Sequence, residues 1–122
     1  MRKAIMPAAA VIALLAIGDT ASAQPRFDSR VTIHAELAKG GVQRFFGEVK
    51  SSKNACEPNR RVVLYHTLKG NPEKVGSVLT NGHGEWELND EVDSPVYFAR
   101  VKPRDIDAGV CKGDRSRNIE FV

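Results

Sequence analysis

Residues 75–88 restrict the fold of this chain more than any other stretch, because strand-like alternation stands on both sides of a cluster of turn residues. Alternation with a period of two is typical of β-strands. Asn81-Gly82 and Gly84 lie between the two alternating segments, and residues of this kind supply the positive φ angles of tight hairpin turns. The sequence therefore predicts a β-hairpin at the centre of a small all-β domain, with Trp86 and Leu88 on its core side.

Five further segments read as strands, namely 31–35, 44–50, 61–68, 96–102 and 117–122. Residues 36–39 read as a continuation of the strand 31–35, and the alternative is a helical turn capped by Gly40. The third is the most apolar, which is typical of a central strand. The segments 51–59 and 103–114 read as loops, and no segment carries helical periodicity. We expect a single domain over residues 24–122, an all-β antiparallel Greek-key sandwich of about seven strands, immunoglobulin-like or prealbumin-like.

Residues 1–23 have the three parts of a secretory signal peptide. Arg2 and Lys3 form the positive start, an apolar run interrupted by Pro7 follows, and Ala21-Ser22-Ala23 is a small-residue cleavage site. The alternative, an uncleaved anchor, needs about 20 apolar residues, more than this run contains. We expect cleavage after Ala23, no membrane span in the remaining chain, and a secreted, periplasmic or cell-envelope location.

Cys56 and Cys111 are the only two cysteines. An even number of cysteines in an exported chain favours a disulfide. The alternative, a redox or metal-binding pair, lacks the C-x-x-C spacing. A disulfide between them closes the loop of residues 56–111, and a cross-link over a loop of that length stabilises a fold by roughly 4 kcal/mol.

The charge pattern argues against a nucleic-acid partner. The whole chain has a formal net charge of +3, and loss of the predicted signal peptide removes two cations and one anion. The sequence shows no basic stripe interleaved with aromatic residues, as single-strand binders have.

Candidate catalytic or metal-binding residues are few. The histidines are His34, His66 and His83, and none has zinc-site spacing. Two acidic groups could offer oxygen ligands to calcium: Glu85, Glu87, Asp90, Glu91 and Asp93, and separately Asp105, Asp107 and Asp114. Neither follows the EF-hand order, and no serine stands in a G-x-S-x-G elbow. The sequence predicts no catalytic residue, no metal and no cofactor.

Cations and aromatic residues suggest possible contact surfaces. Seven cations flank the cysteine loops: Arg60, Arg61, Lys102, Arg104, Lys112, Arg115 and Arg117. They predict either a basic rim for an anionic partner or scattered solubilising charge. Tyr65 and Trp86 predict either a sugar-stacking platform or core packing. Phe46 faces away from Phe45, so we expect either cover by residues 24–29 or an exposed contact.

One family resemblance follows from the apolar and turn residues. It rests on Phe45-x-Gly47-x-Val49, Cys56, Arg61-Val62-x-Leu64-Tyr65, Gly76, Thr80-Asn81-x-x-Gly84-x-Trp86, Tyr97-x-Ala99-x-Val101 and Cys111. This pattern resembles small exported bacterial domains of the transthyretin-like or carboxypeptidase-regulatory-like type. The resemblance implies a sandwich of about seven strands and no single activity. Hydroxyisourate hydrolases of this group end in Tyr-Arg-Gly-Ser, whereas this chain ends in Ile119-Glu120-Phe121-Val122, so that activity is not expected.

Together these features predict a non-catalytic binding or structural module that contacts an extracellular protein or glycan through its end loops. Two alternatives remain. One is a small secreted hydrolase that uses a histidine and acidic loop residues, and the other is a transthyretin-like carrier that binds a small molecule at an oligomer interface. No residue pattern favours one oligomeric state over another.

Overall fold

The computed structural model describes residues 24–92 and 94–121. Within them the chain forms twelve strands and two short 3-10 turns, at Lys39–Gly41 and Asn54–Cys56, and no α-helix. The strands are β1 Arg26–Phe27, β2 Ser29–Val31, β3 His34–Leu37, β4 Val42–Ser51, β5 Arg61–Leu68, β6 Asn71–Leu79, β7 Glu85–Glu91, β8 Val96–Val101, β9 Arg104–Ile106, β10 Gly109–Cys111, β11 Asp114–Arg115 and β12 Ile119–Glu120. The predicted signal peptide lies outside the described residues.

The strands form two larger sheets and a small one. In sheet I, β2 and β3 pair with one side of β4 and β7 pairs with its other side. In sheet II the order is β11, β8, β5 and β6, and β12 also pairs with β8. Sheet III contains β1, β10 and β9. The prediction of an all-β fold with antiparallel sheets is confirmed for sheets I and II, whereas β1 and β10 of sheet III pair in parallel. The arrangement is consistent with a β-sandwich.

The core lies between sheets I and II. Alternation turns Phe45 and Val49 of β4 inward, where they belong to one buried cluster with Leu64 of β5 and Tyr97 of β8. The Phe45 and Tyr97 rings stack with centroids 4.6 Å apart. Each such side chain contributes about 1.5–3 kcal/mol by leaving water. Opposite alternation leaves the other side chains of these strands on the two outer faces.

The segment 75–88 is not a hairpin. Its two strands, β6 and β7, belong to different sheets, since β6 pairs with β5 and β7 pairs with β4. The connection reverses the chain as predicted. Asn81 Oδ1 accepts hydrogen bonds from the backbone N–H groups of His83 and Glu85, and Gly84 has a φ of 79°. The connection is thus an arch between sheets I and II. Positive φ was predicted for Asn81, Gly82 and Gly84, and of these three residues Gly84 has a positive φ.

Other strand boundaries also differ from the sequence prediction. The predicted loop 103–114 contains β9 and β10 and the start of β11. The predicted strand 31–35 is interrupted between β2 and β3, where Thr32 Oγ1 accepts a hydrogen bond from the Glu48 backbone N–H at 2.9 Å. Strand β6 includes Pro72, which sits on the outermost strand of sheet II, where a missing N–H is tolerated.

Gly47 allows Trp86 to complete sheet I. The two residues are paired across β4 and β7, and the indole Nε1–H donates to the Thr32 carbonyl at 3.1 Å. A Cβ on Gly47 would lie 2.0 Å from that carbonyl oxygen and 2.9 Å from the indole nitrogen. Trp86 is 3% exposed, so it packs in the core, as one of the two sequence interpretations predicted.

The Cys56–Cys111 disulfide is confirmed, with Cα atoms 5.6 Å apart. It joins the 3-10 turn before β5 to β10 of sheet III. Both cysteines are 0% exposed. The cross-link therefore ties the small sheet to the end of the sandwich and is shielded from solvent.

Candidate functional site

The three histidines lie on different elements. The His34 ring is on the outer face of sheet I, 5.4 Å from Phe46. His66 is 8% exposed, and its Nε2 lies 3.3 Å from a carboxylate oxygen of Glu73. His83 lies in the arch. Within residues 24–92 and 94–121, no group of three or more His, Cys, Asp or Glu side chains is placed to hold a metal ion.

The two predicted acidic groups are dispersed among structural contacts. Glu85 accepts a hydrogen bond from the Asn81 side-chain amide at 2.9 Å. Asp90 accepts one from the Tyr97 hydroxyl at 3.5 Å, and Asp93 lies outside the described residues. Asp114 Oδ2 accepts the Val31 backbone N–H at 2.9 Å. Glu85 thus stabilises the turn before β7, Asp90 contacts a core tyrosine, and Asp114 links β11 of sheet II to β2 of sheet I.

Arg60 is the clearest departure from the predicted basic rim, because it is buried and 0% exposed. Its guanidinium donates to the backbone carbonyls of Cys56, Lys102 and Lys112 at 2.6–3.0 Å and to the Ser29 hydroxyl at 2.9 Å. Its Nε makes no hydrogen bond with any described residue. Burial, and secondarily the charge of Arg104, lowers the pKa of Arg60. Arg60 thus joins the disulfide region to sheets I and II, and no carboxylate is among these four acceptors.

Other cations of the predicted rim converge on the outer face of sheet II. Register places Tyr65 opposite Phe98, and Val63 opposite Arg100. Arg115 lies opposite Arg100 on the next strand. We call this surface the basic face, and it comprises Arg61, Val63, Tyr65, Lys74, Phe98, Arg100, Lys102 and Arg115. The cations of this face are exposed.

An aromatic stack supports the cations of the basic face. The Tyr65 and Phe98 rings are 5.1 Å apart and 12° from parallel. The Arg115 guanidinium carbon lies 3.9 Å from the Phe98 centroid, and its Nη2 donates to the Asn118 side-chain oxygen at 3.0 Å. Phe98 is 3% exposed despite its outward position. The stack fixes Arg115, while Tyr65 stays partly exposed.

The cations of the basic face have no carboxylate partner within 4 Å in the described part of the chain. A groove of about 550 Å³ crosses this face, and Tyr65, Arg100, Lys102 and Arg115 line it. Unpaired cations beside an aromatic ring produce a local positive field that attracts anions. Arginine also binds carboxylate, sulfate or phosphate oxygens with two parallel hydrogen bonds.

The outer face of sheet I has the opposite charge. We call it the acidic face, and it comprises His34, Glu36, Arg44, Phe46, Glu48, Glu85 and Glu87. Arg44 is ion-paired with Glu36 at 2.6 Å and with Glu87 at 3.1 Å. These carboxylates raise the pKa of Arg44, first through the Glu87 hydrogen bond. The Arg44 guanidinium also lies 4.2 Å from the Phe46 centroid. Phe46 is therefore covered in part by Arg44 and His34, and it lines a groove of about 640 Å³.

The sequence did not reveal the basic face. Its aromatic rings and cations come from four strands, and only the register brings Tyr65, Phe98 and Arg115 together. The predicted Tyr65–Trp86 platform is not formed, since Tyr65 faces outward on sheet II and Trp86 faces the core from sheet I. The weak signal available beforehand was the run of alternating cations at Arg100, Lys102 and Arg104.

No protein-family model, curated protein or solved structure matches the chain. The resemblance to transthyretin-like or carboxypeptidase-regulatory-like domains therefore stays a prediction. No helix within residues 24–92 and 94–121 is long and apolar enough to cross a membrane. The buried disulfide fits an oxidising compartment.

Proposed function

We propose that this protein is a non-catalytic binding module, secreted or held in the cell envelope, that holds an anionic partner on its basic face. One observation carries the proposal: Arg100, Lys102 and Arg115 line one groove beside Tyr65 without an ion-paired carboxylate in the described chain. Charges already satisfied by neighbours gain little from a ligand, whereas unpaired ones gain charge-assisted hydrogen bonds.

The proposal places the contact surface on a sheet face. The end loops near the disulfide also contain a groove, of about 440 Å³, whose lining mixes Arg104 with Asp105 and Asp107. That mixture of charges favours no single sign of ligand. An exported location is supported by the signal-peptide pattern of residues 1–23 and by the disulfide.

Binding of a labelled sulfated dextran, measured by fluorescence anisotropy at low salt, tests the proposal. The double variant Arg100→Glu/Arg115→Glu should weaken binding at least tenfold, because it replaces two cations in the groove by anions. The matched control is Lys39→Glu/Lys69→Glu, which changes the net charge equally and affects two exposed lysines outside this groove. The control should bind within about twofold of the unmodified protein.

Two results would contradict the proposal. One is binding of neutral dextran as tightly as the sulfated form. The other is an equal loss of binding in both double variants, since that would indicate a response to net charge and not to the basic face. Circular dichroism and urea unfolding of each variant establish that the fold is retained.

A further inference from the structure

A second groove adjoins the groove of the basic face. It has a volume of about 390 Å³ and lies where β11, at the edge of sheet II, meets β2 of sheet I. Asp114 and Arg115 line both grooves. The two grooves therefore meet at Arg115 and lead from the outer face of sheet II to the edge of the sandwich.

The charge of the second groove matches that of the first. Arg30, Arg115 and Arg117 contribute to its lining. Among the described residues, Asp114 is the one carboxylate in the lining of either groove, and its Oδ2 accepts the Val31 backbone N–H. The two grooves together present five cations: Arg30, Arg100, Lys102, Arg115 and Arg117.

Hydrogen bonds to backbone groups of both sheets fix the segment at Ser116 and Arg117, beside the second groove. The Ser116 backbone N–H donates to the Ala99 carbonyl at 2.8 Å, and the Ser116 hydroxyl accepts the Ala99 N–H at 2.8 Å. Arg117 Nη2 donates to the Ile33 carbonyl at 3.4 Å. Arg115 and Arg117 thus stand on a segment fixed to both sheets, and Arg30 stands on β2, which pairs with β4, so little ordering is needed when a ligand binds.

The combined path is long. From β5, which carries Tyr65, to β11, which carries Arg115, are two strand spacings, about 10 Å. The step from sheet II to sheet I at Arg30 adds about another 10 Å. A single sulfate or phosphate group can occupy only part of a path of about 20 Å, whereas one chain that engages both grooves gains from the high effective concentration of its second end.

From this geometry we propose that the ligand is an extended acidic polysaccharide, bearing sulfate or carboxylate groups, which runs from Tyr65 past Arg115 to Arg30. This inference rests on the proposed function and adds the length and chemistry of the ligand. The path turns from a sheet face to a sandwich edge, and a flat lipid surface cannot contact both sides at once. Tyr65 is the one Phe, Tyr or Trp ring lining the two grooves, whereas single-stranded nucleic acids are held by several stacking rings.

Sulfated oligosaccharides of increasing length, titrated by isothermal calorimetry, test the inference. The unmodified protein should bind an oligosaccharide long enough for both grooves at least tenfold more tightly than a disaccharide. In the variant Arg30→Gln/Arg117→Gln the long oligosaccharide should bind only about one to three times as tightly as the disaccharide, because the second groove keeps only Arg115, which it shares with the first. Glutamine at position 117 retains a side-chain N–H donor near the Ile33 carbonyl, and circular dichroism and urea unfolding of the variant establish that the fold is retained.

The outcomes separate the two proposals. If no oligosaccharide of any length binds, the proposed function fails together with the inference. If oligosaccharides bind but the glutamine variant keeps the full length dependence, the inference alone is overturned. It is also overturned if a single-stranded oligonucleotide of equal charge, or vesicles with anionic lipid, bind more tightly than the long oligosaccharide at the same ionic strength.

Discussion

The two outer faces of the sandwich use arginine in opposite ways. On the acidic face, Arg44 is held by Glu36 and Glu87 and lies over Phe46. On the basic face, Arg115 also lies over a phenylalanine, Phe98, but has no carboxylate within 4 Å in the described chain. An arginine over a phenylalanine is thus neutralised by carboxylates on the acidic face, whereas on the basic face it is available to a ligand. Charge partners, more than the cation–π contact, determine which face can bind an anion.

The largest expected effect separates a structural arginine from those of the basic face. Arg60→Met should lower the free energy of unfolding by about 3–5 kcal/mol, because it leaves three backbone carbonyls near the disulfide without their donor. Arg115→Met should cost less than about 1 kcal/mol. Urea unfolding measures both changes. Similar losses in the two variants would show that the basic face is a structural device and not a binding surface.

The sheets beneath the two faces should respond differently to one added methyl group. Gly47→Ala in sheet I should cost about 3 kcal/mol, because the new Cβ would overlap the Thr32 carbonyl and displace Trp86. Gly76→Ala in sheet II is the control. Its Cβ would meet only Leu88 methyl groups at 3.8–3.9 Å. The free energy of unfolding, measured by thermal unfolding, should therefore change by less than about 0.5 kcal/mol. A Gly47→Ala protein as stable as the control would contradict the described packing of Trp86.

Salt should affect the two faces unequally. If three cations of the basic face release counterions, raising salt from about 50 to 200 mM should weaken binding of sulfated dextran roughly 30-fold. A Glu36→Gln/Glu87→Gln variant of the acidic face should keep the same dependence on salt. A salt-independent affinity would argue that the contact is apolar, through Tyr65, and not electrostatic.

The smallest effect concerns the paired arginine itself. Arg44→Ala removes two partly exposed ion pairs and one cation–π contact, so it should destabilise the protein by less than about 1 kcal/mol. It should leave polyanion binding within about twofold. Loss of binding in this variant would mean that the ligand contacts the acidic face and would reverse the comparison of the two faces.

Local pattern predicted some elements well. Strand β5 has the predicted bounds, Arg61–Leu68, because a run of β-branched and aromatic residues between turn signals leaves few alternatives. Phe45, Val49 and Trp86 pack in the core as alternation suggested. The disulfide was predictable because the chain has two cysteines and was expected to be exported.

Pairing between strands was not predictable in the same way. The turn residues of the segment 80–84 specify that the chain reverses, but not whether the flanking strands hydrogen-bond to each other, so an arch was predicted as a hairpin. Arg60 and Arg61 are adjacent and chemically identical, yet one is buried and the other exposed. That difference depends on the carbonyls of Lys102 and Lys112, which directly follow β8 and β10 and which only tertiary structure brings together.

The arch between β6 and β7 also has a consequence for the order of folding. Consecutive strands β5 and β6 pair through a short turn at Lys69 and Gly70, both with positive φ, and such a unit forms within microseconds. Pairing of β4 with β7 must enclose that whole unit, which carries a larger loop-closure cost. We therefore expect β7 to dock late, so that substitutions in the β5–β6 unit slow folding and substitutions in β7 mainly speed unfolding.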